Sequence, residues 1–241
     1  SGSMKWDAVT GSRDQIDKSR LDVMKQAAQF LLAQYAISGA TKVQLILFNG
    51  DAQTLESDNS VWMSVDAATA LIEGLVANGA TDYKDAITAA SESWDTNSSD
   101  RLSDASNITY FISDGEPNNG DDLNNPTEWQ AHLESNDITA FAYGISTGAN
   151  KNFLDPIAYD GLNEENTQAV IVENVTDLPQ VLLQSSIEPV DGNVMFMTEG
   201  ADGAIVSQIG INGVLFDFDG EDVTASGSHE SISYDFDSVE N

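Results

Sequence analysis

The sequence contains no cysteine, few histidines and no long apolar run. The lack of cysteine excludes disulfide bonds, thiol catalysis and zinc–thiolate sites. The two histidines, His132 and His229, are too few and too far apart in the chain to suggest a histidine-built metal site. No stretch approaches the roughly 20 apolar residues of a membrane-spanning helix, so we expect no insertion into a membrane.

Positive charge is also scarce. Nine Lys and Arg residues stand against forty Asp and Glu residues, and the formal net charge is -31. Lys151 is the last cation, and the ninety residues after it contain none. Such a surface repels polyanions, so neither nucleic acid nor anionic lipid is expected as a partner. The acidity itself has two explanations. One is solubility in a saline habitat, and the other is function in an environment that contains millimolar calcium.

Helical and strand-like segments alternate from Arg20 to about Ser186. Apolar residues at three- and four-residue spacing predict a helix after Arg20. The apolar run 43–48 predicts a strand that is buried on both faces. Further strands are predicted at 108–112, 138–145 and 170–172, with helices between them. This order predicts an α/β fold with a doubly wound, mostly parallel sheet flanked by helices.

The pattern changes after Pro189. Gly and Asp become frequent, short apolar runs such as 193–197 alternate with polar residues, and no helical period is visible. We therefore predict a first domain over residues 1–187. A β-rich appendage, or the start of a further module, is predicted over 188–241. The alternative for these residues is a flexible acidic tail.

Three short polar segments are candidates for a binding site. They are Ser1-Gly2-Ser3-Met4 ahead of the first helix, Gly79-Ala80-Thr81-Asp82-Tyr83 at the third helix, and Ser113-Asp114-Gly115-Glu116-Pro117 after a buried strand. Loops at the carboxyl ends of parallel strands form the ligand crevice of such sheets. Hydroxyl and carboxylate oxygens are hard ligands, which suit Ca²⁺, Mg²⁺ or Mn²⁺ better than zinc.

In this order, the three segments resemble the von Willebrand factor A-type domain family and its metal-ion-dependent adhesion site. Bacterial members commonly show Ser-Gly-Ser-Met, then Gly-x-Thr-x-Tyr, then Asp-Gly-x-Pro, and the resemblance covers about residues 1–186. It implies a divalent cation, Ca²⁺ or Mg²⁺ with Mn²⁺ also possible, and a coordination position left for a carboxylate of a protein or glycan partner. The implied metal ligands are Ser1, Ser3, Thr81 and Asp114, and the candidate ligand contacts are Trp6, Glu116 and Asn118.

The sequence departs from the family at its start. The family's first motif has an Asp two residues before the first Ser, and a hydrophobic strand precedes that Asp. We expect both to lie upstream of Ser1, and a segment donated from elsewhere is the alternative. The residues Ser1-Gly2-Ser3 also match a cloning remnant ahead of a start methionine.

The acidic, cysteine-free tail resembles linker modules of large repeat-containing (RTX-type) bacterial adhesins, on the residues Gly200-Ala201-Asp202-Gly203 and Gly213-Val214-Leu215-Phe216. This resemblance implies a secreted, cation-dependent adhesion module at the bacterial cell surface. The alternative is a structural spacer that keeps the fold but binds no ligand. The motifs bring no histidine to the site, and although a carboxylate such as Glu116 could serve as a base, we do not expect an enzyme.

Overall fold

A computed structural model describes residues 1–117 and 126–186, together with four strands nearer the carboxyl end. The chain divides into two compact units, Ser1–Ser186 and Ile187–Asn241, which are described separately.

Six α-helices lie in the described part of the first unit. They are α1 (Arg20–Ser38), α2 (Val65–Glu73), α3 (Tyr83–Ser93), α4 (Thr127–Ser135), α5 (Lys151–Leu154) and α6 (Leu178–Ser186). The start of α1 is fixed by a capping box in which Ser19 and Asp22 satisfy each other's backbone N–H groups. Asp66 lies in the first turn of α2 and not at its cap, because the Ser64 hydroxyl accepts the capping hydrogen bond.

Four strands form a mixed sheet between the helices. They are β3 (Asn107–Ser113), β4 (Ile138–Ile145), β5 (Tyr159–Asp160) and β6 (Val170–Val172), and they follow the short strands β1 (Ile46–Phe48) and β2 (Ala52–Thr54). Strands β3 and β6 pair parallel with β4, whereas β5 pairs antiparallel with it. The predicted α/β fold is confirmed.

Side chains of β4 pack on both faces of the sheet. Ala140 and Ala142 belong to one hydrophobic core with α4, whereas Tyr143 and Ile145 belong to a second core with α1 and α6. Alternate residues of a strand point to opposite faces, so both cores depend on the same strand. The sheet is thus covered on two sides, as expected for a doubly wound domain.

The first predicted strand differs from the expectation. Only Ile46–Phe48 of the run 43–48 form a strand, which pairs antiparallel with β2 and is half-buried rather than buried on both faces. Among the described residues, β1 pairs with β2 alone and β3 with β4 alone. Each strand therefore has one edge without a strand beside it, which leaves β1 incompletely covered.

An apolar groove of about 780 Å³ lies along these two strands, and we call it the strand groove. Its lining includes Leu47 and Phe48 of β1, and Tyr110 and Ile112 of β3. Ser1 and Asp114 also line it. The expectation of a hydrophobic strand upstream of Ser1 stays a prediction.

In the second unit the structure describes two antiparallel hairpins. One pairs β7 (Gln208–Ile211) with β8 (Val214–Asp217), and the other pairs β9 (Thr224–His229) with β10 (Ile232–Asp237). The predicted strand at 193–197 lies outside the described residues. The assignment of 188–241 as an appendage or adhesin module stays a prediction.

The strand groove generates a prediction about stability. Extending the chain ahead of Ser1 with a strand of about six Val and Ile residues should raise the melting temperature by about 5 °C or more, because apolar surface is buried and two strand edges gain partners. Circular dichroism measures the transition. An extension of equal length with alternate prolines cannot pair and serves as the control. Equal melting temperatures for the two extensions would contradict the prediction.

Candidate metal and ligand site

The parallel strands β3 and β4 end at the same edge of the sheet, and their following loops meet there. Asp114 follows β3 directly, and Gly148 lies in the loop after β4. A Cβ atom at Gly148 would lie 3.0 Å from the Asp114 carbonyl oxygen. A side chain at position 148 would push the two loops a few tenths of an ångström apart, so glycine favours their close approach.

The first residues of the chain are fixed against the loop before α3. Residues Gly2–Lys5 form a 3-10 turn, and the Gly2 N–H donates to the Gly79 carbonyl at 2.9 Å. The Oγ atoms of Ser1 and Ser3 lie 2.6 Å apart in a hydrogen bond, and Met4 is buried. These contacts place the two serine hydroxyls beside the Gly79 loop.

Thr81 is held in the same loop by its neighbours. Gly79 has φ +70, a left-handed conformation that glycine adopts at low cost, and the Asp82 N–H donates to the Asn49 carbonyl at 2.7 Å. Thr81 is only 2% exposed. The loop is thus anchored on both sides of Thr81.

These segments surround a shallow polar groove of about 460 Å³, which we call the ligand groove. It is lined by Ser1, Gly2, Ser3, Trp6, Gly79, Thr81, Gly115, Glu116 and Gly148. The structure therefore brings together three of the four predicted metal ligands, and places Trp6 and Glu116 with them. The fourth, Asp114, directly precedes Gly115, and Asn118 lies outside the described residues.

Asp114 is a buried carboxylate with one charged partner among the described residues. Its side chain is 0% exposed, and Oδ2 accepts a hydrogen bond from Nη1 of Arg20 at 3.3 Å. Its Oδ1 is buried and has no hydrogen-bond partner in the described part of the chain. Because an unsatisfied buried charged oxygen costs more than the about 1–3 kcal/mol of a neutral group, Oδ1 is suited to a cation.

The donor set fits a hard divalent cation. Three hydroxyls and one carboxylate supply only oxygen, which Ca²⁺ and Mg²⁺ prefer. Within residues 1–117 and 126–186, no three His, Asp or Glu side chains gather into a metal-binding group. Of the four predicted ligands, only Asp114 would bring a charge to a cation here.

The loop between Ser3 and α1 is organised by Asp7. This buried carboxylate accepts hydrogen bonds from the backbone and hydroxyl of Thr10 and from the Asp17 N–H, at 2.7, 2.8 and 3.0 Å. The bond from the Thr10 backbone is the main reason why the pKa of Asp7 lies well below its usual range. The loop is therefore a fixed structure next to the ligand groove.

Trp6 in this loop contacts two arginines. The guanidinium carbon of Arg13 lies 4.4 Å from the Trp6 ring centroid, and that of Arg20 lies 5.3 Å from it. Trp6 was predicted as a ligand contact, whereas neither arginine was. The sequence does indicate positive charge in this region, because five of the nine Lys and Arg residues fall within the first 25 positions.

The far side of the ligand groove is set by Gly115 and Glu116. The Tyr83 hydroxyl donates to the Gly115 carbonyl at 2.5 Å, and burial raises the pKa of Tyr83 to about 12, so this donor stays protonated at neutral pH. Glu116 is exposed and accepts a hydrogen bond from the Asn150 side chain at 2.9 Å. Its carboxylate remains accessible from the groove.

The family is decided by the sequence profile of the von Willebrand factor type A domain, which matches residues 9–184. This chain belongs to that family. No curated protein matches the chain by sequence.

Several solved structures share this von Willebrand factor type A fold at low sequence identity. Proximal thread matrix protein 1 from the mussel byssus, with a zinc-occupied MIDAS motif, is 17% identical over 74% of this chain and 45% of that chain, with a TM-score of 0.54. The type A domain protein from Catenulispora acidiphila is 19% identical over 69% and 38%, with a TM-score of 0.50. A D319A mutant of the PilB minor pilin from Streptococcus sanguinis is 16% identical over 77% and 58%, with a TM-score of 0.51.

These likenesses show the fold. The chain spans less than half the length of the mussel chains it matches.

The buried ion pair generates a prediction in the absence of metal. Replacing Arg20 with Met should lower the free energy of unfolding by about 3 kcal/mol in chelator, because Asp114 then has no counter-charge. The double variant Arg20→Met with Asp114→Asn should lose less, since neither charge remains buried. Urea unfolding followed by tryptophan fluorescence measures both. If the loss in the double variant equals the sum of the losses from Arg20→Met alone and Asp114→Asn alone, the ion pair does not couple these residues.

Proposed function

We propose that this domain is a divalent-cation-dependent ligand-binding module and not an enzyme. Ser1, Ser3, Thr81 and Asp114 would hold the cation at the ligand groove. The observation that carries the proposal is the buried Oδ1 of Asp114, which has no hydrogen-bond partner among the described residues and directly precedes Gly115 of the hydroxyl-lined ligand groove. The mussel structure supports it at a coarser level, because its MIDAS motif holds zinc, a divalent metal. The all-oxygen donor set favours Ca²⁺ or Mg²⁺ for this chain.

The chain's own residues would leave such a cation reactive toward an acid. Asp114 supplies one negative charge, whereas serine and threonine hydroxyls supply none, so a bound divalent ion keeps net positive charge. That ion would attract a carboxylate of the partner into the ligand groove. Glu116 and Trp6 lie along the same groove and would contact the partner beside this carboxylate.

A cation also explains how this chain would bind an acidic partner. With a net charge of -31, the domain repels other acidic molecules at long range. A divalent ion at the groove reverses the sign locally, where screening by salt is weaker than on the open surface. The partner is accordingly a protein or glycan that offers a carboxylate.

The proposed biological setting rests on the composition of the chain. The cysteine-free, acidic sequence and the Gly- and Asp-rich tail favour a secreted RTX-type adhesin that acts at the bacterial surface. None of the helices that the structure describes is long and apolar enough to cross a bilayer. The minor pilin shares the fold with this chain.

The second candidate function is a structural spacer. The byssus protein with this fold is named as a matrix protein, which favours a load-bearing or assembly role without ligand exchange. The two functions differ in one observable property, which is release of a bound partner by a chelator. Only the binding module should show it.

Metal titration tests the proposal. Calorimetry with Ca²⁺, Mg²⁺ and Mn²⁺ on chelator-stripped protein should show one stoichiometric site, and Asp114→Asn should weaken it at least about tenfold by removing a charged ligand. Asp66→Asn removes the same charge from an exposed position on α2 and is the matched control. It should leave the affinity unchanged.

Equal affinities for both variants would assign the binding to the acidic surface and refute the proposed site. A folded Asp114→Asn protein, confirmed by circular dichroism, is required for the comparison. If metal binds at Asp114 but chelator releases no partner, the spacer function replaces the adhesion function.

A further inference from the structure

We propose that Arg13, held on the Trp6 ring, binds a second acidic group of the partner, so that the domain selects protein segments bearing two nearby carboxylates. This inference rests on the proposed cation site, which would bind the first carboxylate. It adds a specificity-determining residue that belongs to none of the three motif segments.

Arg13 is exposed and forms no ion pair with any of the described residues. The ion pairs of those residues involve Arg20, Arg101 and Lys151. Within the described part of the chain, its donors are therefore available to an incoming acid.

Arg13 contacts a residue that lines the ligand groove. Trp6 lines the groove with Ser3 and Thr81, and the Arg13 guanidinium carbon lies 4.4 Å from the Trp6 ring centroid. A guanidinium held over an indole face loses little further freedom when it binds. Its planar fork also matches the two oxygens of a carboxylate.

The loop that carries Trp6 and Arg13 is held by backbone hydrogen bonds. The Arg20 N–H donates to the Trp6 carbonyl at 3.0 Å, and the Asp7 N–H donates to the Ser12 carbonyl at 2.9 Å. The two hydrogen bonds hold the loop on both sides of the Trp6–Arg13 contact. Arg13 thus works as a second anchor at a set position relative to the cation ligands.

The same contacts favour a peptide over a sugar. Sugar rings bind proteins largely by stacking on exposed indole faces, and the Arg13 guanidinium already lies over the Trp6 ring. Residues 5–20 also carry four Lys or Arg against three Asp, which contrasts with the strong acidity of the whole chain. An acidic, extended peptide segment matches this local positive charge.

The test compares short Gly-Ser peptides that carry one Asp with a series in which a second Asp is placed at increasing separation. Binding to the full chain is followed in Mg²⁺ by NMR, using the Trp6 indole N–H and Arg13 Nε–H signals. The best two-Asp peptide should bind about threefold or more tighter than the one-Asp peptide. Arg13→Gln should remove this gain and leave binding of the one-Asp peptide unchanged.

Arg101→Gln is the matched control, because Arg101 also lies 4.4 Å from an indole ring, that of Trp94. It should change neither affinity. A gain that survives Arg13→Gln would overturn the inference while the cation site stands. If Mg²⁺ promotes binding of neither peptide, the cation site itself fails and the inference fails with it. A digalacturonate that gains from Arg13 as much as the two-Asp peptide would overturn the choice of a protein partner.

Discussion

Asp114 carries a charge that has no contact with solvent, and the geometry around it follows from that constraint. Arg20, at the first turn of α1, supplies the counter-charge to Oδ2, and none of the described residues donates to Oδ1. The absence of a side chain at Gly148 favours the close approach of the loop after β4 to the Asp114 backbone. A buried ion pair of this kind adds little net stability, but removal of one partner is costly. The pair is therefore better understood as fixing the position and charge of the candidate site.

The distribution of charge makes the site distinct from the rest of the surface. The chain is strongly acidic, yet the loop beside the ligand groove and the first residue of α1 contain Arg13, Lys18 and Arg20 within a short stretch. Trp6, which lines the groove, contacts two of these side chains. Repulsion at long range and attraction at the groove would together disfavour nonspecific acidic partners and retain a partner that reaches the site.

The sequence allowed the α/β fold, most helices and the three motif segments to be predicted, because they depend on local periodicity and short motifs. The Arg20–Asp114 pair could not be predicted, since its partners are 94 positions apart and only the fold brings them together. The approach of Gly148 to Asp114 depends on the register of β3 with β4 and was missed for the same reason. The strand 43–48 was predicted too long, because only Ile46–Phe48 pair with a partner strand, β2, and the extent of a strand depends on such pairing and not on its own apolar residues alone.

Paramagnetic relaxation by Mn²⁺ would locate the cation directly. At substoichiometric Mn²⁺, amide signals of Ser3, Thr81, Gly115 and Gly148 should broaden first, because these residues line the ligand groove. Signals of Arg101 and of the exposed Leu162 should remain sharp at the same Mn²⁺ concentration. Broadening spread over the acidic surface, without preference for the ligand groove, would contradict the central claim that Asp114 and its neighbouring hydroxyls form a cation site.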